Sequence, residues 1–196
     1  MHLLNLSQEP TVNHKIFLKL VGTNNLYLLK LYLLTMMYSE FRLFQLISSI
    51  LPVGGFTYSQ GLEWAVEKKW VNDSISLEDW LKSNLDLSIT NMELPVLIRL
   101  FNAFEKKEYN LVKSWTEQLL VRRETFELRR EENQRGKALY KILSDLGVEI
   151  PMDLKPLVSI CQLTGFALAA NKWGIELEKI CNGYVWSWLE NSVVAG

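Results

Sequence analysis

Histidine, cysteine and closely spaced opposite charges are the side chains of this sequence that could do chemistry, and their placement is restrictive. The two histidines, His2 and His14, lie near the N-terminus, and none occurs from Lys15 to Gly196. That removes the commonest general base and the commonest transition-metal ligand from the body of the chain. The two cysteines, Cys161 and Cys181, form no CxxC pair and no disulfide framework, which suits a reducing compartment. No GxxxxGK[ST], GxGxxG or GxSxG run occurs. Two segments carry more information. One is Pro52-Val53-Gly54-Gly55-Phe56-Thr57-Tyr58-Ser59-Gln60-Gly61-Leu62-Glu63, a helix stop, a glycine turn and a helix start in one line. Gly54 and Gly55 permit positive φ or close backbone approach, and Thr57 or Ser59 can cap the next helix. Gly61 inside a helical pattern costs about 1 kcal/mol against alanine and so needs a packing reason. The segment reads either as an interhelical corner or as a binding loop. The other segment is the charged run Arg122 to Arg135. There Arg123/Glu127 and Glu131/Arg135 stand at i,i+4 spacing, as on a solvated helix face laced with ion pairs. The same run reads as a docking surface, since the planar fork of arginine grips carboxylates bidentately.

Length and composition bound the rest. The chain has 196 residues, 48% hydrophobic and 22% charged, with a formal charge of -1. That is enough for one globular domain with a real core, and it gives no basic field for nucleic acid. Residues 1–37 differ in composition from the remainder: they hold three basic residues and one acidic residue, and none of the seven tryptophans. Residues 38–196 carry 18 basic and 21 acidic groups. Leu26–Met37 is strongly apolar but twelve residues long and interrupted by Lys30, too short to span a bilayer. Two readings of this segment stand. The natural product starts at Met36 or Met37 and residues 1–36 are a mis-called upstream extension, or residues 1–37 form an apolar arm that packs on a partner.

The elements that must position these residues are helical throughout. Phe41, Phe44, Ile47, Leu43, Leu46 and Ile50 recur at helical spacing until Pro52. A second helix is expected from about Tyr58 to Lys69. Ser76 with Asp79 resembles a capping box, and behind it Leu77, Leu81, Leu85 and Ile89 step by four. Pro95 kinks or restarts the helix, and Leu111, Trp115, Leu119 and Leu120 mark another. A long charged helix spans roughly Thr125 to Leu146 with Gly147 as its cap. Leu157–Ala170 is apolar all round and reads as one central buried helix, with Pro156 in its first turn and Gly174 beyond its end. The last helix, from about Glu176, places Leu177, Ile180, Tyr184 and Trp188 on one face. Trp186 and Trp188 fall on different faces, one for the core and one for an interface. No alternating strand is found. The fold class is all-α, a single-domain bundle of about seven or eight helices.

The corner run resembles the LPVGGFSYSQGLE signature of the urease accessory protein UreF family. Arg123-Glu124-Thr125-Phe126-Glu127-Leu128-Arg129 is similar to its RETxELR stretch, and Gly136-Lys137-Ala138-Leu139 to the G-R-A-L beyond it. Trp173-Gly174-Ile175 and Tyr184-Val185-Trp186-Ser187-Trp188-Leu189-Glu190-Asn191 resemble its AWGI and YLWSWLEN elements. The likeness covers about Phe41 to Asn191. It implies a cytoplasmic, dimer-forming, all-α chaperone with no catalysis and no bound cofactor or metal of its own. Such a protein binds UreD (UreH in some organisms), recruits the GTPase UreG, and helps deliver nickel to apo-urease; nickel and GTP belong to the partners, and no nucleic acid or membrane is involved. A GTPase-activating role, with an arginine aimed at the GTP of UreG, is the alternative. The residues expected at partner or dimer surfaces are Pro52, Gly54, Gly55, Phe56, Tyr58, Ser59, Gly61, Glu63, Arg123, Glu124, Glu127, Arg129, Gln134, Trp186 and Trp188. On that reading Arg129→Glu weakens an assembly and spares the fold. Cys161 and Cys181 read as small buried hydrophobes, a shared nickel relay being the sharper alternative. Residues 1–36 match nothing in the family, and the family's C-terminal region beyond Asn191 has no counterpart, so residues 38–196 read as a C-terminally truncated domain.

Overall fold

In a computed structural model, residues 26–53 and 61–195 are described. Among them no strand occurs, and there are eight helices when one continuous rod is counted once. Helix α1 is Leu26–Ile47 and α2 is Leu62–Glu67. The rod comprises α3 (Ser74–Asn84), a π-helical stretch (Leu85–Glu93) and α4 (Leu94–Glu105). Next come α5 (Tyr109–Val121), α6 (Phe126–Asp145), α7 (Lys155–Ile160), α8 (Gln162–Lys172) and α9 (Leu177–Ala195). No helix of the described residues is long and apolar enough to cross a membrane.

The core forms around α8, in which every residue from Gln162 to Ala170 is buried. Helices α4, α5 and α6 pack on it, and α9 packs on α4 and α1. The continuous apolar run therefore does form the centre, but as two helices rather than one. Cys161 is extended (φ −137°, ψ 113°) and separates α7 from α8. The cause lies on α6. A Cβ placed at Gly136 would stand 2.7 Å from the Cys161 nitrogen and 2.8 Å from the Ile160 carbonyl carbon, so the two backbones touch where the run breaks. Gly183 does the same for α9, where a Cβ would meet Leu43 and Ile47 of α1 at 2.9 and 3.0 Å.

Other expectations need local correction. The capping box is Asp73 with Ser76, not Ser76 with Asp79: the Asp73 carboxylate accepts the Ser76 N–H at 2.7 Å and α3 starts at Ser74. Of the stripe stepping by four, Ile89 enters the main core, whereas Leu77 joins a small separate cluster with Leu62, Ala65 and Val71. Helix restarts at Leu94 with Pro95 in its first turn, after the wider π turns. Within those turns the Thr90 hydroxyl and the Asn91 amide both donate to the Asp86 carbonyl, at 2.9 and 2.6 Å. Gly61 sits at the N-cap of α2 with φ +91°, and a Cβ there would meet only Trp80 at 3.8 Å. Its requirement is conformational, not a matter of packing.

Four helices end in the same backbone motif, in which a left-handed residue turns the chain and the next N–H reaches back over the last turn. Gly147 (φ +73°) and Gly174 (φ +64°) fill the position in two of them, whereas Lys69 (φ +59°) and Lys107 (φ +57°) fill it in the others. A residue with a Cβ pays about 1–2 kcal/mol there, and glycine gives back roughly 0.5–1 kcal/mol through its freer unfolded chain. Lys107→Gly is therefore expected to raise stability by about 0.5–1 kcal/mol. Gly147→Ala, where a Cβ has open space, should lower it by a similar amount for the mirror reason. Thermal unfolding checks both, and an unchanged or lowered midpoint for Lys107→Gly refutes the account.

Candidate functional site: a sealed ion cluster behind the Arg122–Thr125 loop

The charged run does not form a solvated face. Thr125 is the N-cap of α6, its hydroxyl accepting the Leu128 N–H at 3.2 Å, so Arg123 lies in the loop before the helix. The expected i,i+4 pair with Glu127 is not its partner. Instead Arg123 turns inward and is 8% exposed. Its Nη1 donates to Glu93 Oε1 at 2.6 Å, and its Nη2 and Nε donate to Glu132 Oε2 at 2.8 and 3.1 Å. Glu93 is the last residue of the π-helical stretch, and its other oxygen accepts the Tyr184 hydroxyl of α9. Glu132 uses its Oε1 to accept the Gln162 backbone N–H at 2.8 Å, so a carboxylate from α6 satisfies the first turn of α8. Beside this set, Arg135 Nη1 pairs with Glu131 Oε1 at 2.9 Å, as the spacing implied, but both are largely buried rather than on a solvated face. Arg135 Nε is buried with no hydrogen-bond partner.

Electrostatics locks these groups in their charged forms. Burial pulls the Arg123 guanidinium toward neutrality, but Glu93 and Glu132 outweigh it and hold its pKa above the ordinary arginine value. Burial pushes the Glu132 carboxyl up, and Arg123 and Arg135 more than reverse that, leaving it below the usual glutamate value. Burial, then the Glu93 charge, raises the Tyr184 phenol well above its usual value. Neither Arg123 nor Glu132 is poised to move a proton near neutral pH, as a general acid or base must be. What the arrangement does is bind five elements together: the end of the π stretch, the Arg122–Thr125 loop, α6, the start of α8, and α9.

The outer face of that loop borders an open groove of about 220 Å³, with Asn84, Ser88, Arg122, Glu124 and Thr125 among its lining. Arg129 also serves the loop. Its Nη1 donates to the carbonyls of Arg123 and Glu124 at 2.7 and 2.9 Å. Arg129→Glu would release those carbonyls, so it would disturb the loop and not only a docking surface.

The remaining sequence-picked residues are scattered. Gly54, Gly55, Phe56, Tyr58 and Ser59 lie outside the described residues, as does Thr57. Pro52 and Glu63 are exposed at the two sides of that corner, with Gly61 between it and α2. Glu124, Glu127 and Gln134 are exposed around α6. Trp186 is exposed, whereas Trp188 packs against the core, as the two-face reading requires. Cys161 is buried and burial pushes its thiol pKa up, while Cys181 is half-buried. Among the described residues no group of three or more His, Cys, Asp or Glu side chains is placed to hold a metal ion.

Sequence reasoning missed Glu93 and Glu132 as partners of Arg123, and Tyr184 as the partner of Glu93. Signals were present. Glu93 continues the Leu77, Leu81, Leu85, Ile89 stripe by one more step of four, and a carboxylate on an apolar stripe needs a cation. Tyr184 is a hydroxyl on an apolar helix face, which needs an acceptor.

Known proteins supply the family. The sequence model of the UreF family matches residues 71–196. A urease accessory protein UreF of Alcanivorax borkumensis is 49% identical over 160 residues, covering 79% of this chain and 70% of that protein. Proteins of the same name from Pseudomonas putida and Klebsiella pneumoniae are 43% and 41% identical over 155 residues, in each case covering 79% of this chain and 69% of the relative. With matches of this extent joined to an all-helical fold, the chain belongs to the UreF family of urease accessory proteins.

Proposed function

We propose that this chain is a non-catalytic helical adaptor in the cytoplasmic maturation of urease. It pairs with a second copy, bridges UreD and the GTPase UreG, and so helps the assembly insert nickel into apo-urease, while its partners hold the nickel and the GTP. The observation that carries the adaptor reading is the sealed cluster. All four carboxylate oxygens of Glu93 and Glu132 are engaged inside the protein, and the arginine between them stays protonated. The two arginines of the family-like Arg123–Arg129 stretch are thus spent on holding a loop in one shape. Pre-set loops suit an adaptor, because ordering costs are met before the partner arrives. The docking residues would be the exposed ones around it, Glu124 and Glu127, together with the Pro52–Glu63 corner and Trp186.

Co-expression of the full chain with cognate UreD and UreG, with pull-down and light scattering on the eluate, tests this. A ternary complex is expected, with the GTP hydrolysis rate of saturating UreG unchanged. Failure to hold UreG in the presence of UreD overturns the bridging role. A raised hydrolysis rate would favour a GTPase-activating protein instead. In that case the arginine at hand is Arg122, which is exposed and makes only a 3.5 Å contact to Gln118, and Arg122→Ala would abolish the effect.

A further inference from the structure

Two apolar clusters divide the rod between them. Its second half, α4, puts Val96, Leu97, Leu100 and Phe104 into the main core. Its first half, α3, buries no residue completely. The half-buried Leu77 and Trp80 of α3 instead pack on a small cluster of Leu62, Ala65 and Val71. All five of these residues precede Leu85 in the chain. The boundary falls on the π-helical stretch, where Leu85 and then Ile89 are the first residues of the rod to reach the main core.

Wide turns usually occur singly inside α-helices, often at functional sites. Here the run is nine residues long. Its C-terminal end is fixed. Glu93 is tied to Arg123 and Tyr184, and the Leu94 N–H donates to the Ile89 carbonyl, five residues back. Its N-terminal end is held by two exposed side chains. The Thr90 hydroxyl donates to the Asp86 carbonyl four residues back, a bond that an ordinary α turn also makes. The Asn91 amide donates to the same carbonyl at 2.6 Å from five residues away, which is the π spacing itself. In an α register the Thr90 N–H would take that carbonyl, and the Asn91 amide would lose it. The side chain of Asn91 therefore props the turn open.

We infer that the Leu85–Asn91 part of the rod is a two-state joint, in which the π register exchanges with an α register and turns α2 and α3 as one body against the main core. Each wide turn holds about one residue more than an α turn, so closing one rotates α3 by roughly 100°, the angle of one residue. The small cluster survives that rotation, because its members all lie on the moving side. Glu63, Trp64 and Trp70, exposed on or beside α2, travel with it. Asn84 and Ser88 leave the wall of the groove that faces the Arg122–Thr125 loop, so the groove belongs to the π state.

Fluorine NMR on the full chain, grown with fluorotryptophan, tests it, because relaxation-dispersion and saturation-transfer measurements detect minor states that exchange on the μs–ms scale. The Trp80 signal, from α3, should exchange with a second position populated at about 1–10%. Trp115 and Trp173, which belong to the main core, should not. Asn91→Ala should raise the minor population about fivefold, the usual net effect of one hydrogen bond, and Thr90→Ala should change it by less than about twofold. Both residues are exposed, so both variants should keep the fold. Rotation of a folded unit uncovers little surface, so the minor population should not grow with urea below the unfolding transition, whereas melting of α2 and α3 would make it grow. A Trp80 signal without exchange, equal responses to the two variants, or a minor state that grows with urea each overturns the joint. The measurement uses neither UreD nor UreG, so its failure leaves the adaptor reading to its own pull-down.

Discussion

Replacing Arg123 by methionine is expected to lower the unfolding free energy by about 3–5 kcal/mol, the typical cost of breaking a buried pair from one side. The volume is nearly kept, so the loss is electrostatic. Glu93 and Glu132, 3% and 4% exposed, would be left without the cation that bridges them. Typical domains have only about 5–15 kcal/mol to lose, so a large share of the variant would be unfolded on modest heating. Arg123→Lys should fall between, because an ammonium cannot bond both carboxylates with the same fork. The pH dependence separates charge from packing. In the wild type the Glu132 pKa is held below the usual glutamate value, so the unfolded chain binds its proton more readily than the folded one. Its stabilisation is complete above about pH 4.5 and drains away as pH falls below that. In Arg123→Met the Glu132 carboxylate stays buried but loses the Arg123 charge, so the variant favours its protonated form more than the wild type does. Its deficit relative to wild type should be largest at neutral pH and shrink toward about pH 5. Tyr184 acts at the other limit: its raised pKa means stability is full below about pH 10 and lost above it. Urea unfolding across that range is the measurement. A deficit under about 1 kcal/mol, or one that does not change with pH, would mean the cluster is not what holds the loop.

That cluster marks where sequence reading stops. Local signals placed the start of α6 near Thr125, its cap at Gly147, a helix end at Gly174 and Pro156 in a first turn, because each acts through bonds within a few residues. The apolar face of α9 was equally legible, with Ile180 and Tyr184 both buried. Arg123 was not. Standing two residues before the cap, it shares the charge rhythm of the helix without belonging to it, and its partners lie 9 and 30 residues away. The break at Cys161 is hidden for the same reason. Nothing within Leu157–Ala170 interrupts a helix; the interruption is imposed by a glycine on another helix and completed by a carboxylate one turn earlier on that helix.

The second large effect arises at that crossing. Gly136→Ala adds one methyl group to α6, a substitution that on an open helix face would stabilise by roughly 0.5–1 kcal/mol. Here the expected sign is reversed. The new Cβ would stand 2.7 Å from the Cys161 nitrogen, 2.8 Å from the Ile160 carbonyl carbon and 3.0 Å from the Ser159 oxygen, all backbone atoms that no side-chain rotation can move aside. Either α6 retreats from α7 and α8 or the α7–α8 junction shifts. Both responses pull Glu132 away from the Gln162 N–H that it satisfies, since Glu132 lies one helical turn before Gly136. Overpacking in cores costs about 1–3 kcal/mol, and loss of the charge-assisted bond to Gln162 adds roughly 1–3 kcal/mol more. The net destabilisation should therefore reach about 3 kcal/mol or more, and Gly136→Val should exceed it. Gly165→Ala is the comparison. There a Cβ meets the flexible end of Leu139 at 3.1 Å and Val158 at 3.3 Å, so side chains can yield and the cost should be smaller. Equal losses at the two positions would show that the α6 crossing is no tighter than an ordinary core contact, and a stabilised Gly136→Ala would remove it as the reason for the break at Cys161.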